Sequence, residues 1–219
     1  MINRVPTRIM PAKSISAKKI EVKKEKPLEE NIFAELGKVL DFLGVENQYV
    51  PIDQKNKMEQ LLVKLKNIDT SLDPTVMEIV FLNDMFKIAE GEPDEDEYKD
   101  EDEQPSEIIQ FFAKLPISTT ESNLLGIGNI ILRFNPYINL GGFGLTEENE
   151  VYYRYCLMRE NRQINSLMVM EIIDMAVFFL NILGKEIKCY SEGDKTIEEA
   201  LTSGLQNLVN ITVPPPIEE

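Results

Sequence analysis

The sequence predicts an α+β domain in which helices cover one face of an antiparallel β-sheet of about five strands. Two observations lead to this class. The chain has 219 residues, 43% of them hydrophobic, which is enough for one or two packed domains. Its periodic segments follow the order helix, three strands, helix, two-stranded hairpin, helix. Strands that come in runs, rather than alternating with helices, are typical of an antiparallel sheet.

Composition divides the chain into a basic N-terminal arm (residues 1–27), a folded domain (28–210) and a proline-rich C-terminal tail (211–219). The arm has eight basic and two acidic residues, so its charge is 8 − 2 = +6, and the remainder carries −15 − 6 = −21. Three prolines and the lack of an apolar period predict an extended arm. It is either a solvated terminus or a segment that lies on an acidic partner. Four of its lysines are candidate partner contacts: Lys18, Lys19, Lys23 and Lys24.

The first half of the domain is expected to contain one helix and three strands. The helix covers residues 28–44, with Gly44 as its C-terminal stop. The strands cover residues 59–67, 76–84 and 107–116, and the second is apolar on both faces, which is typical of a central strand. The apolar stripe of the helix consists of Ile32, Leu36, Val39 and Leu43, with Phe33 and Leu40 beside it.

An acidic run separates the second and third strands. Residues 90–107 carry eleven acids and one lysine, and such a run repels itself and has nothing to bury. We therefore expect a disordered insertion over residues 90–106. The run lacks the glycine and the ligand spacing of an EF-hand loop, so calcium is not expected.

A second helix is predicted over residues 118–135. Ser118 and Glu121 have the spacing of a capping box, and Asn135-Pro136 should end the helix. Its apolar stripe consists of Leu124, Ile127, Ile131 and Phe134.

A glycine cluster follows this helix and raises the question of a phosphate-binding loop. Such loops follow a strand and open a helix. Here Gly141, Gly142 and Gly144 follow a helix and lead into an acidic turn and the strand 151–159. We therefore expect the glycines to allow backbone turns and close packing at a β-hairpin.

Two helices complete the domain, at residues 166–189 and 196–210, the latter opened by a capping box between Thr196 and Glu199. In the longer helix Phe178 falls among polar residues, with Leu167 as its neighbour. Three interpretations of Phe178 stay open: an isolated exposed ring, burial under the last helix, or contact with a partner or second copy. The predicted core face comprises Ile172, Ala176, Phe179 and Leu183, and the wet face Glu171, Asp174, Asn181 and Lys185.

Alternation along the strands assigns side chains to the two faces of the sheet. The outer face keeps several apolar residues, more than an isolated monomer should leave exposed, so we expect a partner to cover part of it. The inner face comprises Leu61, Val63, Leu65, Phe111, Ala113, Val151, Tyr153, Tyr155 and Leu157. The outer face comprises Ile108, Phe112, Tyr152 and Met158.

Composition excludes many kinds of catalytic site. The chain has no histidine, so neither Ser-His-Asp nor Cys-His catalysis is possible, and two cysteines alone do not make a zinc site. Cys156 and Cys189 do not form a disulfide framework either, and we expect both to be small buried or half-buried residues. Cys156, with Arg154 on the same face of its strand, is the remaining candidate nucleophile. We expect no enzyme activity, no cofactor and no metal.

Charge and hydropathy bear on partners and location. With a net charge of −15, the folded domain is not expected to bind nucleic acid. Residues 164–184 are long enough to span a bilayer, but Glu171 and Asp174 near the middle favour a core helix, so we expect no membrane insertion. No secretory signal is recognisable, and we expect a cytoplasmic location.

The second half of the domain resembles the YbjN-like and type III secretion chaperone-like superfamily. The resemblance runs through Asn135, Gly142 to Leu145, the charged turn Glu147 to Glu150, the strand 151–159 and the helix from Ser166, and more loosely covers residues 28–190. It implies an α+β domain without enzymatic activity that binds other polypeptides, often as a dimer.

These observations predict a chaperone-like module that docks a segment of another protein. The alternative is a fixed subunit of a larger assembly, anchored by the N-terminal arm. The stoichiometry of the native complex would separate the two.

Overall fold

A computed structural model describes residues 32–54, 56–85, 107–159 and 164–212, with side chains to residue 210. The basic arm, the acidic insertion 90–106 and residues 213–219 lie outside the described residues. The described ranges form an α+β fold around a single sheet. Its six antiparallel strands have the order β1-β2-β3-β4-β6-β5, one strand more than expected. The strands are β1 (Asn47–Val50), β2 (Gln60–Lys64), β3 (Val76–Phe81), β4 (Glu107–Lys114), β5 (Gly142–Leu145) and β6 (Val151–Arg159).

Five helices and several short helical turns precede, connect or follow the strands in the described residues. A short turn at residues 82–85 follows β3, and 3-10 turns occupy Thr70–Leu72 and Asn135–Tyr137. A π-helical turn, Leu180–Gly184, joins two helices into one continuous helix. The helices are α1 (Ile32–Phe42), α2 (Leu124–Phe134), α3 (Ser166–Phe179), α4 (Lys185–Ser191) and α5 (Ile197–Thr212).

The predicted assignment of strand residues to two faces is confirmed. Paired positions such as Ile79 and Phe111, or Ala113 and Tyr153, lie on the inner face and are buried in the core. Tyr155 and Leu157, farther along β6, are half-buried against it. The core therefore lies between the inner face of the sheet and the helices.

The prediction that the second strand is central is confirmed, but the outer face of this strand is largely exposed. β3 is central in the sheet, but Val76 and Glu78 on its outer face are exposed, and on that side only Val80 is buried. A central strand needs two apolar faces only when both faces of the sheet are covered.

The apolar stripe predicted for α1 is partly wrong. Phe33, Leu36 and Leu40 are buried, whereas Val39 and Leu43 are exposed. The helix carries apolar residues over more than half its circumference, and its packing against β1 and β2 selects the face that contains Phe33.

The capping box predicted at the start of the second helix does not form. α2 begins only at Leu124, because Asn123 organises the preceding turn instead. Its side chain accepts a hydrogen bond from the Thr120 N–H (2.7 Å) and donates to the carbonyl of Ser118 (3.2 Å). The predicted end of the helix, before Asn135-Pro136, is confirmed.

The glycine cluster forms a β-hairpin, as expected. Gly141 has φ +78°, and a Cβ there would lie 2.6 Å from the Arg154 carbonyl oxygen, so only glycine fits before β5. Gly144 lies directly under the ring of Tyr152 on the neighbouring strand. The acidic turn that follows includes Asn149 at φ +64°.

The long helix has the faces that its periodicity predicts, with one correction. Ile172, Ala176 and Phe179 are buried, and Glu171 is exposed. Phe178, expected on the wet face, is half-buried and packs edge-on against the Phe179 ring with centroids 5.3 Å apart. Its position on the helix is beside the predicted wet face, but the large aromatic side chain extends from there to the edge of the hydrophobic core.

The last helix follows its prediction closely. The Thr196 N–H donates to Glu199 Oε2 (2.8 Å) and the Glu199 N–H to Thr196 Oγ1 (3.3 Å), which confirms the capping box. Ala200, Leu201 and Leu208 are buried where α5 packs against α2, α4 and the π-helical turn.

Candidate protein-binding surfaces

The outer face of the sheet brings together the four outer-face residues singled out from the sequence. Ile108 lies directly opposite Met158 at one end of the β4–β6 pair. Phe112 and Tyr152 lie side by side at the other end, with ring centroids 5.1 Å apart. At 3.3 Å per residue, Ile108 and Phe112 are four residues or about 13 Å apart along β4, and Tyr152 and Met158 are six residues or about 20 Å apart along β6.

At the aromatic end, neighbouring groups partly cover the two rings. The Tyr152 ring lies across Gly144, and the Arg154 guanidinium lies over the same ring, 5.8 Å from its centroid. Phe112 and Tyr152 are therefore half-buried by their own neighbours.

The Ile108 end is less covered. Met158 is 70% exposed, although it lies within strand β6 rather than in a loop. Between the two ends the face is polar, with Gln110 opposite Cys156. The surface therefore has two apolar contact points separated by a polar row.

A second apolar surface, which the sequence did not predict, lies between α2 and the edge strand β5. Leu125 is 87% exposed and Leu132 is 74% exposed, and both line a groove of about 750 Å³. Gly128 lies between them, and no atom comes within 4 Å of where its Cβ would be. The other lining residues are Glu121, Leu124, Asn129, Arg133 and Leu145. We name this the α2–β5 groove.

Asn135 closes the backbone edge beside this groove. Its side chain accepts a hydrogen bond from the Phe143 N–H (2.9 Å) and donates one to the Phe143 carbonyl (3.0 Å). A primary amide thereby occupies the positions that another strand would use, and an edge satisfied in this way resists pairing with a further chain.

A third apolar surface lies on the exposed side of α1. Phe42 is 89% exposed, and Val39 and Leu43 lie beside it at helical spacing. The sequence analysis assigned Val39 and Leu43 to the core, so it did not predict this surface.

The remaining candidate contacts are divided between described and undescribed parts of the chain. Leu167, near the start of α3, is 67% exposed, whereas Phe178 is half-buried. The four arm lysines, Lys18 to Lys24, lie outside the described residues. Leu167 and Phe178 lie on α3, whereas the other described candidates lie on strands β4 and β6.

One buried polar cluster joins α4 to α5. The buried carboxylate of Glu186 lies 2.5 Å from Lys195 Nζ and accepts a hydrogen bond from Ser203 Oγ (2.9 Å). Lys195 Nζ also donates to Ser203 Oγ (3.2 Å). All three polar groups have partners within the cluster, so it ties the last helix to the domain.

The two cysteines are both free thiols, as expected. Cys189 is half-buried, and its pKa is raised by burial and by the charge of Glu186, which disfavours the reactive thiolate. Cys156 is exposed on the outer face of the sheet, which corrects the expectation that it is buried. Its position follows from the alternation of β6, where Tyr155 and Leu157 take the inner side.

Metal binding and membrane insertion were both expected to be absent. Within the described ranges no group of three or more cysteine, aspartate and glutamate side chains is arranged to hold a metal ion. One helix there, residues 166–191, is long and apolar enough to cross a bilayer, but half of its most apolar stretch is buried in the domain. Both absences remain predictions.

No family model matches the chain, and no curated protein matches its sequence. The resemblance to the YbjN-like and type III secretion chaperone-like superfamily therefore stays a prediction.

Proposed function

We propose that the chain is a non-enzymatic, chaperone-like module of the cytoplasm that docks an amphipathic helix of another protein on the outer face of its sheet. The observation that carries the proposal is the outer β4–β6 face, which the described helices leave uncovered, with apolar contact points at Met158 and at the Phe112–Tyr152 pair. Helix packing on the opposite face, a hairpin after α2 and the long final helices also support a type III secretion chaperone-like fold.

The geometry of the face favours a helix as the occupant. The backbone groups of β4 are paired with β3 and β6, and those of β6 lie in the plane of the sheet, so the outer face itself offers side-chain contacts only. A helix satisfies its own backbone hydrogen bonds and presents apolar side chains at i and i+8 about 12 Å apart. That distance matches the separation of about 13 Å between Ile108 and Phe112 along β4.

Site-specific photo-crosslinking in the source cell tests this function. We expect a crosslinker at position 156, between the contact points, to capture one specific polypeptide. A crosslinker at Gln206, exposed on α5, is the control and should not capture it.

In the same experiment Met158→Asp should abolish capture, because a charge in an apolar contact commonly costs at least about 2 kcal/mol of binding free energy. The free energy of unfolding should change by less than about 0.5 kcal/mol, since the side chain is largely exposed. Equal capture by Met158→Asp and the unsubstituted chain would contradict the proposal. Capture of a second copy of this chain would show that the face forms a homodimer and does not bind another protein.

A fixed subunit of a larger assembly is the second candidate. Exposed apolar residues on three separate surfaces, represented by Met158, Leu125 and Phe42, favour contacts with several neighbours at once. Native mass spectrometry separates the candidates. A constant stoichiometry with the same neighbours indicates a subunit, whereas one substoichiometric client indicates a chaperone-like module.

A further inference from the structure

The α2–β5 groove needs an occupant with apolar side chains. Leu125 and Leu132 lie two helical turns apart, about 10.5 Å along α2, with the open position of Gly128 between them. A volume of about 750 Å³ is in the range of pockets that bind ligands. Because Asn135 satisfies the outward backbone groups of Phe143, the occupant is held by side chains and not by adding a strand at that residue.

The charges around the groove select a basic occupant. Glu121 lies in its lining, and Glu147 and Glu148 are exposed in the turn that follows Leu145. The one lining cation, Arg133, forms an ion pair with Glu198 at 3.3 Å. The surroundings therefore carry four carboxylates against one guanidinium.

The chain itself contains a segment that is both basic and apolar. We propose that the N-terminal arm, residues 1–27, occupies the α2–β5 groove of its own chain. The arm carries +6 while the rest of the chain carries −21. Its apolar residues Ile15, Ile20 and Val22 alternate with lysines that include Lys18, Lys19 and Lys23. The arm thus offers both kinds of contact that the groove requires.

The arm is long enough to reach the groove from any direction. An extended chain of 27 residues spans up to about 90 Å. A compact domain of this size has a radius of gyration of about 16 Å. The first described helix begins at Ile32, a few residues after the arm, so the arm is tethered close to the domain at high effective concentration.

Limited trypsin digestion of the full chain tests the proposal, because the arm lysines are cleavage sites. The cleavage rate follows the fraction of time that the arm is free of the groove. We expect the double variant Leu125→Gln, Leu132→Gln to be cleaved in the arm about tenfold faster than the unsubstituted chain. Phe42→Gln, at an exposed residue outside the groove, is the matched control and should not change the rate.

Salt and charge variants supply a second measurement. Raising the salt concentration to about 0.5 M should accelerate arm cleavage in the unsubstituted chain but not in the double variant, because the charge attraction is screened. Glu147→Gln with Glu148→Gln should also accelerate cleavage, and it changes only exposed turn residues. Slow cleavage at Lys64 and Lys66 in every variant shows that the domain stays folded.

Equal arm cleavage in the unsubstituted chain, the Leu125→Gln, Leu132→Gln chain and the Glu147→Gln, Glu148→Gln chain would overturn the proposal. Protection that grows with protein concentration would also overturn it, since the arm would then occupy the groove of a second copy. The digestion does not involve the outer face of the sheet, so its result is independent of the proposed function.

Discussion

At the residue scale, Asn135 has the clearest role that sequence reasoning left unassigned. Sequence analysis used it only as the end of a helix and as a point of resemblance. In the structure its amide fixes the start of the hairpin to the end of α2 and closes the edge of the sheet at Phe143. Composition and periodicity do not predict such a contact, because it depends on how two elements meet.

Asn135→Ala should lower the free energy of unfolding by about 1–3 kcal/mol, since the Phe143 backbone groups lose both partners in a part-buried site. It should also promote association at high concentration by opening the edge strand. Urea denaturation and analytical ultracentrifugation measure the two effects. Asn129→Ala, an exposed asparagine on the same helix, is the control, and equal loss in both variants would contradict the role of Asn135.

Asp69 joins the turn before β3 to the long helix. Its carboxylate lies 2.7 Å from Lys185 Nζ and accepts hydrogen bonds from the Ser71 N–H and hydroxyl. Its own N–H donates to Asn181 Oδ1 (2.6 Å). The hydrogen bond from Lys185, followed by those from Ser71, lowers the pKa of Asp69 to about 2.

This lowered pKa predicts an acid-dependent contribution to stability. In the unfolded chain an aspartate titrates near 4, so between about pH 4 and pH 2 the unfolded state binds more protons and stability falls with falling pH. We expect Asp69→Asn to lower the unfolding free energy by about 1–2 kcal/mol at pH 6, and the difference from the unsubstituted chain to shrink below about pH 4 and to vanish below about pH 2. Urea denaturation at a series of pH values measures it, and a difference independent of pH would contradict the assignment.

At the element scale, alternation predicted strand faces better than periodicity predicted helix faces. β2, β4 and β6 each alternate between buried and less buried residues, so the side that faces the core follows from the sequence. α1 has two overlapping apolar stripes that share Leu36, and only contact with the sheet selects one. β1 was missed because four residues, Asn47 to Val50, are too few for an alternating pattern to be recognised.

Two glycines of α2 give a matched test of how this helix packs. A Cβ on Gly126 would lie 1.9 Å from Tyr190 Oη of α4, whereas a Cβ on Gly128 meets nothing within 4 Å. Gly126→Ala should therefore cost about 1–3 kcal/mol by overpacking. Gly128→Ala should instead stabilise the helix by up to about 1 kcal/mol.

Chemical denaturation of both variants measures these changes. Adding Tyr190→Ala to Gly126→Ala should recover part of the loss if the ring is the obstacle, because the two positions are in contact. Destabilisation by Gly128→Ala, or no effect of Gly126→Ala, would show that α2 and α4 are arranged differently.

At the scale of the whole molecule, the sequence predicted one candidate surface and missed two, the exposed side of α1 and the α2–β5 groove. The outer-face residues of β4 and β6 followed from strand alternation. The α2–β5 groove did not, because the stripe through Ile127 and Ile131 already accounted for an amphipathic helix. Leu125 and Leu132, on the side of α2 away from this stripe, could have indicated the groove. Leucines seven residues apart outside a core stripe form a second apolar stripe.

The acidic insertion can be tested through the strands that it connects. Phe81 of β3 and Ile109 of β4 are paired neighbours, so a short linker is sufficient to join the strands. Residues 90–106 contain ten acids and one lysine, and their replacement by a short Gly-Ser linker changes the net charge from −15 to −15 + 9 = −6. We expect the free energy of unfolding to change by less than about 1 kcal/mol, because a surface change away from packed features usually costs little.

Urea denaturation at low and high salt measures this change in the free energy of unfolding. A loss of several kcal/mol at both salt concentrations would mean that the run packs on the domain. A gain confined to low salt would instead identify charge repulsion within the compact state, which is relieved when the acids are removed.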